Sequence, residues 1–190
     1  PLPDGRLAII VADVVGHGVA AALMMAKLSA EARYCLVSEA APGKAVGKLN
    51  NRIVALGLDR FITMILVVLN PQTNELTIVS AGHLAPIIRR GDGSIEEPGL
   101  KEGGFALGIM ETPEYEEVTT TLAAGDLFVL YTDGINEASD EHGQQYTCGR
   151  LRSLVAGQAT TPAAVGQAII QDVRLHLGKN TQDDDMCLVC

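Results

Sequence analysis

Residues 7–26, LAIIVADVVGHGVAAALMMA, form an almost unbroken apolar stretch that is interrupted by Asp13 and by Gly16 and Gly18. That interruption decides the local fold. A carboxylate in hydrocarbon is costly, so a continuous membrane span is excluded, and the basic flank of a signal peptide is also missing. The apolar run 7–12 reads as a buried strand. Residues 19–40 are rich in Ala, Leu, Met, Lys and Glu and read as a helix. Asp13-Val14-Val15-Gly16-His17-Gly18 is then a strand-to-helix break, open to three readings: a phosphate cradle, a metal site or a plain turn. Gly16-x-Gly18-x-x-Ala21 fits the glycine pattern of dinucleotide-binding turns, which gives the first reading its force.

The order of elements removes that reading. A dinucleotide fold needs a parallel strand after the helix, ending in an acidic residue about 20 positions beyond the glycines. Here Pro42 opens a second helix over 42–56, and the next strand is the β-branched run 61–69. The turn NPQTNE leads into a strand at 76–80, as in a hairpin. Strands at 86–90, 114–122 and 127–132 follow, with GDGS turning the chain after the first of them. Helices at 148–156 and 162–177 and a strand at 186–189 close the chain. Helices at the two ends and strands in the middle predict an α+β fold with antiparallel sheet.

The chain has 190 residues, 47% apolar and 19% charged, which predicts a single globular domain with a substantial core. Its net charge of −9 argues against a nucleic-acid partner, because phosphates need clustered Lys and Arg. The four cysteines, 35, 148, 187 and 190, predict free thiols in a reducing, cytoplasmic setting. Cys187 and Cys190 form C-x-x-C without a second pair to complete a zinc site, and read as ordinary strand cysteines. The opening PLPDGR reads as a turn between two strands, so a fragment of a longer protein is expected.

Three apolar runs carry aspartate at one end. LAIIVAD ends at Asp13, LFVLYTD ends at Asp133 before Gly134, and DDDMCLV begins with Asp183, Asp184 and Asp185. Aspartate is a poor strand former and is costly to bury unpaired. Carboxylates converging from strand ends are explained by a cation, and an all-oxygen donor set selects Mg²⁺ or Mn²⁺ over Zn²⁺. Each piece also has a plainer reading. Asp133-Gly134 is a stock turn, the acidic triplet a solvated loop, and His17 a helix-capping residue. Together and in order they are far more specific.

With those motifs in hand, DVVGHG at 13–18, AGHLAPII at 81–88, LAAGDLFVLYTDGINEA at 122–138 and DDDMCLV at 183–189, the chain resembles the SpoIIE/RsbU-type serine phosphatases. These are the bacterial branch of the metal-dependent protein phosphatase 2C family. The resemblance runs from about residue 5 to the end. It implies two antiparallel sheets packed as a sandwich with helices outside, and two Mn²⁺ or Mg²⁺ ions at one edge. Asp13 matches the carboxylate that bridges the ions, and Val14 the position whose backbone carbonyl binds one of them. Asp133 and Asp184 match ligands of the second ion, with the register among Asp183, Asp184 and Asp185 left open. Cys187 stands where the closing motif usually has Thr, and Val15 where eukaryotic relatives often have His. His17 is offset from that position, no general acid is assigned, and His83 reads as structural.

The activity so implied is hydrolysis of phosphoserine by metal-activated water, the usual substrate being a STAS-type anti-anti-sigma protein. A sensor or receiver domain is expected upstream. Family members also carry a GGDFYD-like segment before the point where this chain starts, and its absence predicts weaker metal binding by the fragment. The alternative reading is a catalytically silent regulatory module that binds such a partner. The Ala/Met-rich helix at 19–40 has apolar surface enough for a homodimer or upstream-domain contact, though core packing explains it equally.

Overall fold

Asp13 lies inside a strand and not beyond its end. In the computed structural model, which describes residues 1–57, 60–157, 161–182 and 184–190, β1 spans Leu7–Val14 and leads through the glycine break into α1, Val19–Ser38. In chain order there follow α2 (Pro42–Val54), β2 (Ile62–Asn70), β3 (Glu75–Ala81), β4 (Ile87–Arg89), β5 (Ile95–Glu96), β6 (Val118–Thr121) and β7 (Leu127–Tyr131). The chain ends with α3 (Asp133–Asn136), α4 (Cys148–Val155), α5 (Pro162–Leu177) and β8 (Leu188–Val189). The chain divides into two compact units, Pro1–Ala85 with Pro98–Leu122, and Pro86–Glu97 with Ala123–Cys190.

The first unit holds a four-stranded antiparallel sheet in the order β1-β2-β3-β6. β1 and β2 pair along their whole shared length, Leu7 opposite Leu69 through to Val14 opposite Ile62. The antiparallel pairing independently rules out a dinucleotide fold, whose first two strands are parallel. Along β1, Ala8, Ile10, Ala12 and Val14 share one face, as period-two alternation requires. That face joins Met64, Leu66 and Val68 of β2 in a core built with α1 and α2.

α1 contributes Ala21, Met24, Leu28, Ala32 and Cys35 at three- and four-residue spacing, and α2 contributes Ala45, Val46, Leu49 and Ile53. The rest of α1 is more open: Val19 is 77% exposed and Leu23 66%, so core packing uses only one stripe of this apolar helix. α2 begins at Pro42, and its free N-terminal N–H at Gly43 donates to Glu117 Oε1 at 2.7 Å. Gly43 has no room for a side chain, since a Cβ there would lie 2.5 Å from the Tyr115 carbonyl. One charged group is buried between these helices. Glu31 accepts from Lys27 at 2.5 Å and from Arg52, and these cations hold its carboxyl down at about 2, with Arg52 the larger influence.

The strand expected over 114–122 forms only at Val118–Thr121. Tyr115 turns inward instead: its ring packs on Gly104 and its hydroxyl donates to the Phe105 carbonyl at 3.0 Å. Glu117 is engaged as the cap of α2, so these residues serve α2 and the loop before them.

The second unit holds a four-stranded antiparallel sheet, β5-β4-β7-β8. Its core side chains include Ile87, Ile88, Val129 and Leu130, with Leu151 of α4 and Val165, Ile169 and Val173 of α5. Arg150 on α4 clamps Asp172 on α5 through two hydrogen bonds of 2.7 and 2.8 Å, and Tyr146 donates its hydroxyl to the same carboxylate at 2.7 Å. The final strand is only Leu188–Val189, so Cys187 and Cys190 flank it and do not lie within it. All four thiols are free. Two antiparallel sheets with accompanying helices agree with the α+β class expected from the sequence. Among the described residues no helix is long and apolar enough to cross a membrane.

Candidate metal centre

In the first unit Asp13 is half-buried at the penultimate position of β1, directly opposite Thr63 of β2. Cross-strand partners share a face, so Asp13 and Thr63 stand side by side, on the face opposite Val14. Thr63 Oγ1 is hydrogen-bonded to His83 Nδ1 at 3.0 Å. The His83 backbone is tied to Ser80, whose hydroxyl donates to the His83 carbonyl at 3.0 Å and accepts the His83 N–H at 3.3 Å. His83 thus braces the strand residue beside Asp13.

Beyond Val14 the Val15 N–H donates to the Phe61 carbonyl at 3.2 Å and extends the pairing by one bond. Gly16 and Gly18 then take φ of 99° and 81°, values open to glycine at little steric cost, and the chain turns into α1. Gly18 is the N-cap of α1 and no side chain caps it. His17 is exposed and does not cap the helix, contrary to its plainer sequence reading.

In the second unit β7 runs into Thr132, and Asp133 opens the single turn of α3, so the plainer reading of Asp133-Gly134 as a stock turn does not hold. Thr132 is buried, and its hydroxyl bridges two backbone groups of the closing segment. It donates to the Asp185 carbonyl at 3.1 Å and accepts the Cys187 N–H at 2.9 Å, while the Thr132 N–H donates to the Cys187 carbonyl at 3.1 Å. Gly134 explains why glycine follows Asp133: a Cβ there would lie 2.4 Å from the Asp185 carbonyl oxygen and 3.3 Å from that of Asp184. The backbone carrying Asp184 therefore passes directly over the turn that carries Asp133. Asp184 is exposed, and its Oδ1 accepts the Asp185 N–H at 2.8 Å. Asp183 lies outside the described residues.

Each unit offers oxygen donors of the kind hard cations take: Asp13 and the Val14 carbonyl in the first, and Asp133 and Asp184 in the second, where Asn136 at the end of α3 also has a buried Oδ1 with no hydrogen-bond partner among the described residues. Among the described residues no three His, Cys, Asp or Glu side chains gather into a ready-made cation cage. Sequence reasoning missed Thr132. Its only signal was its position, a β-branched hydroxyl between an apolar strand and an Asp-Gly pair.

The comparison with protein families matches residues 3–190 to Stage II sporulation protein E (SpoIIE). The chain belongs to the SpoIIE family. Phosphoserine phosphatase RsbU of Bacillus subtilis is 33% identical over 141 residues, which is 71% of this chain and 40% of RsbU. The chain thus spans well under half the length of that relative. The SiaA-PP2C domain of Pseudomonas aeruginosa superposes with a TM-score of 0.80 at 22% identity, covering 97% of this chain and 78% of that one. RsbX in complex with magnesium superposes with a TM-score of 0.71 at 19% identity, covering 99% of this chain and 81% of that one. The fold of the SpoIIE-family chain is therefore that of PP2C-type domains. At these identities the two solved structures speak to fold alone.

Proposed function

We propose that residues 1–190 act as one metal-dependent serine/threonine phosphoprotein phosphatase domain that hydrolyses phosphoserine. Asp13, the Val14 carbonyl, Asp133 and Asp184 are its ligands for two Mn²⁺ or Mg²⁺ ions. The observation that carries the reading is the all-oxygen set of strand-end aspartates in a SpoIIE-family chain that is 33% identical to a phosphoserine phosphatase. Cations bound there would supply the acidity that lets water act as nucleophile near neutral pH and the charge that offsets the phosphoryl oxygens.

The protein's own part is positioning. The β1–β2 ladder fixes Asp13 and the Val14 carbonyl, and the Thr132 clip with the Gly134 contact fixes the backbone around Asp133 and Asp184. No side-chain nucleophile is required. The substrate in this reading is a phosphorylated STAS-type partner presented in a signalling pathway that controls a sigma factor, with a sensor or receiver domain upstream.

The second reading, a silent module that binds such a partner, has one observation in its favour: the described residues form no three-residue cation cage. Hydrolysis separates the two. With a phosphoserine protein as substrate, release of phosphate is expected only with added Mn²⁺ or Mg²⁺ and is abolished by EDTA. Full activity in a chelated sample sinks the two-ion assignment, and absence of turnover at saturating metal favours the silent module.

A further inference from the structure

Arg60 lies on the turn that follows Asp13. Its Nη1 donates to the Val15 carbonyl at 2.8 Å, and the guanidinium packs so closely on Gly16 that a Cβ there would fall 2.2 Å from Nη1 and 3.3 Å from Cζ. Gly16 is thus glycine for two reasons, its φ of 99° and the arginine seated on it.

The backbone at Arg60 is fixed by its neighbours. Ile62 and Leu107 exchange both backbone hydrogen bonds, at 3.0 and 2.8 Å. A Cβ on Gly108 would lie 3.0 Å from the Arg60 carbonyl, and the Gly108 N–H donates at 3.0 Å to fully buried Asn50. The backbone of Arg60 is therefore packed against the loop at Leu107–Gly108, which is itself hydrogen-bonded to β2 and to Asn50.

Its head is under-used. Arg6, Arg52, Arg90, Arg150 and Arg152 each reach a carboxylate. Half-buried Arg60 makes one hydrogen bond among the described residues, to a neutral carbonyl. A guanidinium carries five donors in a planar fork matched to phosphate and carboxylate. Val15, whose carbonyl it meets, and Phe61, its neighbour in the chain, are exposed apolar residues at 41% and 38%, and among the described residues no carboxylate pairs with it.

We infer that Arg60 receives the phosphoryl group of the substrate, an inference that rests on the phosphatase reading. Nη1 keeps its bond to the Val15 carbonyl, which holds the fork in place, and the remaining donors take phosphoryl oxygens. The charge offsets that of the dianionic ester in the ground state and in the transition state, beyond what the cations neutralise. The turn after Asp13 then has a second task besides bending the chain: Gly16 makes the seat on which the phosphate-binding cation rests.

The test uses inorganic phosphate as probe, with Mg²⁺ present, titrated by calorimetry into the wild-type chain, Arg60→Ala, Arg60→Lys and the exposed control Lys101→Ala. Phosphate binding is expected to weaken about ten- to a hundred-fold in R60A, less in R60K, which keeps the charge but loses the fork, and not at all in K101A. With p-nitrophenyl phosphate the same variants raise KM more than they lower kcat. Thermal melts within a few degrees of wild type show that the fold is kept. If R60A melts early, R60K carries the comparison. Phosphate affinity equal in wild type, R60A and R60K overturns the assignment, as does a wild type that binds no phosphate. A wild type that binds phosphate through Arg60 yet hydrolyses nothing overturns the phosphatase reading and leaves the arginine assignment standing.

Discussion

The two places that carry the acidic residues are held by different means. Asp13 sits in an eight-residue strand paired residue for residue with β2, so its position follows from a continuous ladder with apolar core behind it. Asp184 precedes a two-residue strand, is exposed, and lies in a segment held chiefly by Thr132, through its hydroxyl and its N–H, and by the close approach to Gly134. Many weak restraints fix the first, and a few discrete contacts fix the second. Local opening therefore costs less at Asp184 than at Asp13, and metal affinity should be the property most sensitive to damage there.

The largest effect expected is chemical. Asp13→Asn and Asp133→Asn should each lower turnover by about a thousand-fold or more, because in the proposed reading both remove charge that serves the ions. Their metal-free melting temperatures should equal or slightly exceed that of wild type, since at the proposed cation site neutralising a carboxylate lowers the local negative charge and opens no cavity. A large drop in metal-free stability, or near-normal turnover, would show that these aspartates are structural.

Next comes the clip. Thr132→Val keeps the shape but strands the Asp185 carbonyl and the Cys187 N–H, a cost of about 1–3 kcal/mol with weakened metal binding. Thr63→Val removes the hydroxyl beside Asp13 but leaves the β1–β2 ladder whole, and should cost less than about 1 kcal/mol with little change in metal affinity. Denaturant melts and metal titration of both variants decide the contrast. Equal losses at the two threonines would erase the distinction between ladder and clip.

The smallest effect separates the helix pairs of the two units. Glu31 is held at about 2 when folded, chiefly by its bond to Arg52, against an ordinary value of 4.5. A carboxyl with a depressed folded value stabilises above its unfolded value, and that stability is lost as pH falls from 4.5 toward 2. Asp172 is likewise held below its ordinary value by Arg150, and its side chain is more open to water than that of Glu31. Glu31→Gln should therefore flatten the acid limb of the stability curve, and Asp172→Asn should flatten it less. Acid titrations followed by circular dichroism measure both slopes. A steeper change in D172N would reverse the ranking.

Most of the elements were legible because their signals are local. The long helix, the Pro-started helix, the 62–70 and 75–81 hairpin and the Pro162 helix follow from propensity, Pro position and β-branched runs, and end within two residues of expectation or nearly so. The misreading of 114–117 has a tertiary cause. Tyr115 and Glu117 find a ring pocket and a helix N-terminus far away in sequence, and those partners outcompete a ladder. The turn at Asp133 became helical for a similar reason, since its backbone is laid against residues 184–187.

For the candidate site, the sequence by itself determined the donor type. Oxygen-only side chains abutting apolar runs, with glycines beside them, are properties of residues and their immediate neighbours, and the proposed Mg²⁺ or Mn²⁺ site rests on them. Only the tertiary structure decided what holds those donors: Thr132 gripping the closing segment, Gly134 admitting the Asp185 carbonyl, and Arg60 resting on Gly16. Those contacts join residues tens of positions apart, and no periodicity or propensity records them. They exist because a hydroxyl, a missing Cβ and a guanidinium act on whatever the fold brings within about 3 Å.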